Sequence, residues 1–260
     1  MMDLGIAGRT ALVFGGSKGM GRACALHLAR AGAQVCIAAR TEATLAQAAD
    51  ELGAATSAPV RWVVADITTA AGRDAALAAC PDPDIRVNTA DGRPPGDFRD
   101  WSPADWHAAL DAMMIGPIEM IRRTVDPMIA RRFGRIVNIV ARSVKSPQAE
   151  LGLSNGARSG LVGFVSGLSR QTVRHNVTIN NLLPGAFATD AQRHHVRKMA
   201  EQSGRPFASI WREREAATPA ARFGEPDEIG ALCAFVASQY AGYMTGQSLL
   251  VDGGSYPGTF

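Results

Sequence analysis

With 260 residues, 47% of them hydrophobic and 20% charged, the chain can bury one large core, and no linker-like stretch divides it. Twenty-seven basic against 24 acidic side chains leave a net charge of +3 with the cations dispersed, which argues against nucleic-acid binding and favours small, anionic molecules as partners. No apolar run approaches the roughly 18 residues of a membrane span, and residues 1–8 lack the charged head and apolar body of an export signal, so a cytoplasmic protein without membrane contact is expected. Cys24, Cys36, Cys80 and Cys233 form no CxxC and read as reduced core thiols, while the adjacent His194 and His195 point apart on any regular element, so no metal site is expected.

In chain order, the apolar run Thr10–Phe14 reads as a buried strand leading into Gly15-Gly16-Ser17-Lys18-Gly19-Met20-Gly21 and then a helix over 20–31. Glycines permit positive φ and close approach, and a glycine turn opening a helix offers free N–H groups to a phosphate. A second strand over 34–38 completes a βαβ unit of dinucleotide-binding type. That strand ends in Ala39 and Arg40, where an acidic residue would hold the ribose of NAD. Lys18 and Arg40 are therefore expected to meet the 2′-phosphate of NADP, each contact contributing roughly 1.5–3 kcal/mol; the alternative is two solvated surface cations.

Thr41 is expected to cap a helix that Gly53 stops. A strand over 60–65 ends in Asp66-Ile67, where the carboxylate could reach an adenine amino group or cap the next helix. A strand over 85–89 runs into Ala90-Asp91-Gly92-Arg93-Pro94-Pro95-Gly96, a loop too stiff and glycine-rich for a helix. Ser102-Pro103 starts a long helix reaching about residue 130. After a strand over 135–140 and a loop through Glu150, a helix over 154–175 aligns Gly156, Gly160, Gly163 and Gly167 in one stripe, each costing about 1 kcal/mol against alanine unless close packing compensates, against the sheet or another subunit. A strand over 178–183 ends in Pro184-Gly185. The polar segment that follows, with Arg193, His194, His195, Arg197 and Lys198, reads as an irregular lid around 186–220, before a helix over 226–238 and a last strand, Ser248–Val251.

Together, the glycine loop, Val87-Asn88-Thr89-Ala90, Gly134-Arg135-Ile136-Val137-Asn138-Ile139, Asn180-Asn181-Leu182-Leu183-Pro184-Gly185 with Thr189, and Thr245-Gly246-Gln247 with Asp252-Gly253-Gly254 resemble the short-chain dehydrogenase/reductase family over essentially the whole chain. The resemblance implies a single α/β domain: a Rossmann-like, doubly wound, seven-stranded parallel sheet in the order 3-2-1-4-5-6-7. It further implies NADP(H) seated by Gly15, Ser17, Lys18, Gly19, Met20, Gly21, Arg40, Asp66, Ile67, Asn88 and Ala90, with Pro184, Gly185, Phe187 and Thr189 near the nicotinamide. A homotetramer or homodimer packed through the two long central helices is implied as well.

The family's Asn, Ser, Tyr and Lys align with Met113, Ala141, Ser154 and Arg158; Asp91 replaces a glycine and Phe14 a threonine. The only tyrosines are Tyr240, Tyr243 and Tyr256, so no shift of alignment restores the phenol. A phenol titrates near 10 and can be tuned by an ammonium, whereas a serine hydroxyl needs a separate base and an arginine stays charged. Asp91, Arg93, Arg142, Ser143, Lys145, Glu150, Ser154 and Arg158 all follow the carboxyl ends of strands; the cations among them are candidates to grip an anionic group, with Asp91 or Glu150 as acid/base, against the alternative that Asp91 and Glu150 neutralise the arginines structurally. Three functions follow: an NADP(H)-dependent oxidoreductase acting on a carbonyl or alcohol of a small anionic substrate, a non-redox lyase, dehydratase or hydrolase on the same fold, or an inactive NADP(H)-binding protein or partner subunit.

Overall fold

In the computed structural model, which describes residues 3–90 and 92–259, β1 (Thr10–Phe14), β2 (Gln34–Ala39), β3 (Arg61–Val64), β4 (Ile85–Thr89), β5 (Gly134–Ile139), β6 (Val177–Pro184) and β7 (Ser248–Val251) pair in the order β3-β2-β1-β4-β5-β6-β7. Every pairing is parallel. Such a sheet must be covered on both faces, which is why β5 and β6 are buried at every residue. Helices α1 (Gly19–Arg30), α2 (Glu42–Thr56) and α9 (Pro226–Val236) cover one face through Cys24, Leu28, Leu45, Leu52, Ile229 and Cys233. On the other lie α3 (Ala70–Ala79), α5 (Gly116–Ala130) and α6 (Gly152–Thr172), through Ala76, Met120, Ile121, Leu161 and Val165. All four cysteines are buried and free; a hydrogen bond to Cys233 and burial raise the Cys24 thiol, and burial pushes Cys80 to about 11.

Several elements depart from the expected boundaries. Gly53 does not stop α2, which continues to Thr56; Ser57 takes the left-handed cap with φ of 54°. The cap of α3 is Thr69, whose hydroxyl accepts from the Gly72 N–H at 3.0 Å, while Asp66 instead closes a turn by accepting from the N–H and hydroxyl of Thr68 at 2.9 and 2.8 Å. The expected long helix is two, α4 (Pro103–Leu110) and α5, joined by a π turn over Asp111–Ile115. Pro117 explains the join: it has no N–H for the carbonyl of Met113, and the wider turn absorbs its ring. Between 186 and 220 the chain is largely helical, with α7 (Asp190–Ser203) and α8 (Phe207–Ala216) hinged at Gly204. Trp211 stacks on Phe207 and edges against Phe223, fixing α8. Of the glycine stripe, Gly156 faces Trp106 and Gly160 faces Met114, whereas Gly163 and Gly167 have nothing within 4 Å in the single chain.

One residue of β4 stands out energetically. Arg86 is fully buried, none of its guanidinium nitrogens has a hydrogen-bond partner, and burial pushes its pKa down to about 9. An uncompensated buried charge is costly, and an apolar side chain of similar volume removes that cost. Arg86→Met is therefore expected to raise unfolding free energy by roughly 1–4 kcal/mol in urea titrations.

At the start of α9, Arg222 donates two hydrogen bonds of 2.8 Å to Glu228, and the Glu225 N–H adds a third at 2.7 Å. The arginine contacts, then the backbone contact, hold the Glu228 carboxyl at about 2. Since the folded value lies below the ordinary one, this stabilisation is present at neutral pH and fades as pH falls from 4.5 toward 2. Glu228→Gln should lower Tm at pH 7, and its gap from the parent should narrow across that window in melts at stepped pH.

Candidate functional site

The order of strands reverses between β1 and β4, and open α/β sheets bind ligands at the carboxyl ends of strands at such a switch point. A cleft of about 760 Å³ lies there. Its floor is the glycine loop. Gly15 has φ of +68° and its N–H donates to the Ala38 carbonyl at 2.8 Å; the Thr89 hydroxyl donates to the Phe14 carbonyl at 2.8 Å. α1 begins at Gly19 with Lys18 as cap, and no side chain caps it or places an acid in its first turn. Its N-terminal N–H groups and dipole therefore face the cleft uncompensated, as an anion seat requires.

Gly15, Ser17, Lys18, Gly19, Met20, Gly21, Arg40, Asp66, Ile67, Ala90 and Thr189 all line this cleft. Thr189 also caps α7 by accepting from the Gln192 N–H at 3.2 Å. Asn88 lies just outside, on a recess of about 10 Å³ beneath the cleft. Its amide donates to Asn138 at 2.7 Å, and Asn138 donates to Asn181 at 3.0 Å. Pro184, Gly185 and Phe187 do not line the cleft. The Gly185 N–H is held by the Val251 carbonyl at 2.9 Å, and the Phe187 ring is buried against Gly224.

The expected catalytic cluster is not brought together at the cleft. Ser154 and Arg158, 6% and 7% exposed, share one face of α6, but neither lines the cleft, and only Arg158 borders the adjoining recess. Its Nε donates to the Met113 sulfur at 3.3 Å, one Nη to the Ala90 carbonyl at 3.1 Å, and the other to the Val140 carbonyl. Arg142 sits half-buried in a short 3-10 turn after Ala141, away from the cleft. Glu150 is exposed, and its carbonyl accepts from the Gly96 N–H at 3.0 Å, which ties the loop after β4 to the loop before α6. Asp91 lies outside the described residues. Ser143 is buried with no partner for its hydroxyl.

Thr89, Asp111 and Asp190 complete the cleft wall beyond the expected residues, and Arg93, expected among the anion-gripping cations, lines it as well. Asp111 and Asp190 arrive through packing of distant helices and carry no local signal. Among the described residues no three His, Cys, Asp or Glu side chains cluster as metal ligands, and no helix is long and apolar enough to cross a membrane.

Comparison with known proteins agrees with this geometry. A family model described as enoyl-(acyl carrier protein) reductase matches residues 15–256. The NADPH-dependent reductase BacG of Bacillus subtilis is 30% identical over 252 residues, covering 95% of this chain and 97% of its own. The acetoacetyl-CoA reductase of Shinella zoogloeoides is 31% identical, covering 95% and 98%. The L-sorbose reductase of Gluconobacter frateurii, solved with NADPH and L-sorbose, superposes with a TM-score of 0.93 at 25% identity, covering 99% of this chain and all of its own.

The floor depends on glycines that admit no side chain. A Cβ on Gly15 would lie 2.0 Å from the Thr89 hydroxyl, at a φ that L-residues rarely adopt. Gly15→Ala should destabilise the fold by roughly 1–3 kcal/mol, measured by denaturant titration.

Proposed function

The chain belongs to the short-chain dehydrogenase/reductase family, and on that premise we propose that it is an NADP(H)-dependent oxidoreductase acting on a carbonyl or alcohol of a small, anionic substrate, without the family's phenol–ammonium proton relay. One observation carries the cofactor: the cleft joins Lys18 and Arg40 to the uncapped start of α1, with no carboxylate at the end of β2. That set of groups fits a diphosphate on the helix N-terminus and a 2′-phosphate between two cations. The dependence of BacG on NADPH and the NADPH seen in the L-sorbose reductase complex support the same choice.

Bound there, the cofactor supplies the hydride. The chain's own residues bind and orient: Lys18 and Arg40 hold the phosphate, Asp66 and Ile67 flank the adenine, and Arg93, half-buried on the opposite wall, is placed to hold a carboxylate or phosphate of the substrate. Arg158 stays charged and does not exchange a proton, and Ser154, buried on α6, does not line the cleft. In this reading the proton comes from water entering the cleft. A second reading, an NADP(H)-binding partner or sensor without turnover, is favoured by the recess at Arg158, whose 10 Å³ holds no substrate carbonyl.

Titration of the purified protein with NADPH and with NADH, followed by nicotinamide fluorescence, is expected to show preference for NADPH. Arg40→Ala should weaken NADPH about tenfold and leave NADH nearly unchanged. Failure of the parent to bind NADPH overturns the proposal. Loss of NADPH absorbance over a panel of keto acids and phosphorylated ketones then separates the oxidoreductase from the silent binder.

A further inference from the structure

The chain departs from its family at both Met113 and Arg158, and the two departures meet in one contact. The Arg158 guanidinium is a planar fork, 7% exposed, and its donors reach three segments: Nε the sulfur of Met113 in the π turn, one Nη the carbonyl of Ala90 after β4, the other the carbonyl of Val140 after β5. The β4–β5 ladder ends at the pair Thr89↔Ile139, so Ala90 and Val140 are the first residues beyond it. We infer that Arg158 and Met113 form a clamp that adds one rung beyond the β4–β5 ladder and so positions the β4 wall of the cofactor cleft, making Arg158 a positioning residue.

Three observations support this assignment, which rests on the NADP(H) reading of the cleft. First, Ala90 lines both the cleft and the recess beneath it, so the carbonyl that Arg158 holds belongs to a residue on the wall. Second, the same Nη lies beside the next described stretch of that wall: a Cβ on Gly92, which also lines the cleft, would come within 3.9 Å of it. Third, Met113 is 2% exposed and offers a soft, weak acceptor, which lets the Nε edge of a guanidinium be buried where water is excluded. A lysine has one ammonium at the end of a flexible stem and cannot bridge two carbonyls in fixed directions as the arginine fork does.

The test compares binding of NADPH with that of 2′,5′-ADP, which carries only the adenosine end seated by Lys18, Arg40 and Asp66, in the parent, Arg158→Ala, Arg158→Lys and Met113→Leu, each with a thermal melt. The clamp predicts that Arg158→Ala weakens NADPH about tenfold or more while 2′,5′-ADP changes less than about threefold. It also predicts that Arg158→Lys, which keeps the charge, fails to restore NADPH affinity. Met113→Leu should weaken NADPH in the parent and add little in the Arg158→Lys background, as coupled residues do. Full affinity in Arg158→Lys would show that charge alone matters and overturn the clamp, as would equal loss of both ligands. If Arg158→Ala does not fold, the lysine and leucine variants decide the matter. A parent that binds neither ligand defeats the NADP(H) reading itself, and the inference with it.

Discussion

The ends of β1 and β4 and the first turn of α1 approach one another more closely than side chains would permit. A Cβ on Gly21 would lie 2.3 Å from the Gly15 carbonyl oxygen and 3.0 Å from the Thr89 hydroxyl. That hydroxyl in turn holds the last carbonyl of β1, so the strand cannot drift from β4 without losing a hydrogen bond. The switch point of the sheet, the bare N-terminus of α1 and the cleft between them all follow from this approach. A bulkier loop would move the helix away and carry the anion seat with it.

What was legible in the sequence is what depends on neighbours along the chain. The alternation of apolar strands with helical stretches gave the sheet, because fully buried parallel strands must be nearly continuous apolar runs, as β5 and β6 are. Gly53 misled because a glycine inside a helix costs only about 1 kcal/mol, less than the tertiary packing that carries α2 on to Thr56. Pro117 could have signalled the break before α5, since its missing N–H is a local fact; the π turn that accommodates it is not. The polar segment after β6 looked irregular because its helices bury little: in α7 Val196 is the buried residue, and in α8 it is Ile210.

The same division runs through the site. Lys18, Arg40 and Asp66 follow strand ends, and those positions suffice to put them on the cleft, whereas Thr189 is legible only through the family resemblance. Spacing puts Ser154 and Arg158 on one face of α6, and both are buried there, but spacing does not say what that face meets. Whether a long side chain reaches out toward a ligand or back into the sheet is decided by what acceptors the fold supplies. Here Ala90 and Val140 present two carbonyls just past the end of a ladder, and the arginine turns to them. Glu150 and Arg142 are expected with Ser154 and Arg158 because they follow the carboxyl end of β5, but neither lines the cleft, and the Glu150 carbonyl accepts from the Gly96 N–H instead.

A ladder of amides connects this region to the far edge of the sheet. Asn88, Asn138, Asn181 and Ser248 are in register across β4, β5, β6 and β7, and each amide nitrogen donates to the next side chain, ending at the Ser248 hydroxyl at 3.3 Å. Because every donor points the same way, the one acceptor left over falls at the β4 end: the Asn88 oxygen has no partner and borders the recess that also holds Arg158. A buried acceptor without a donor costs about 1–3 kcal/mol, and a void of this size admits a single water. The ladder fixes four strands laterally by side chains as well as backbone, and it places its one unsatisfied atom directly beneath the cleft, beside the arginine that closes the same strand ends. Sheet register and cleft floor are thus parts of one hydrogen-bonded structure, so the amide ladder and the guanidinium clamp constrain the same few residues from Asn88 to Ala90.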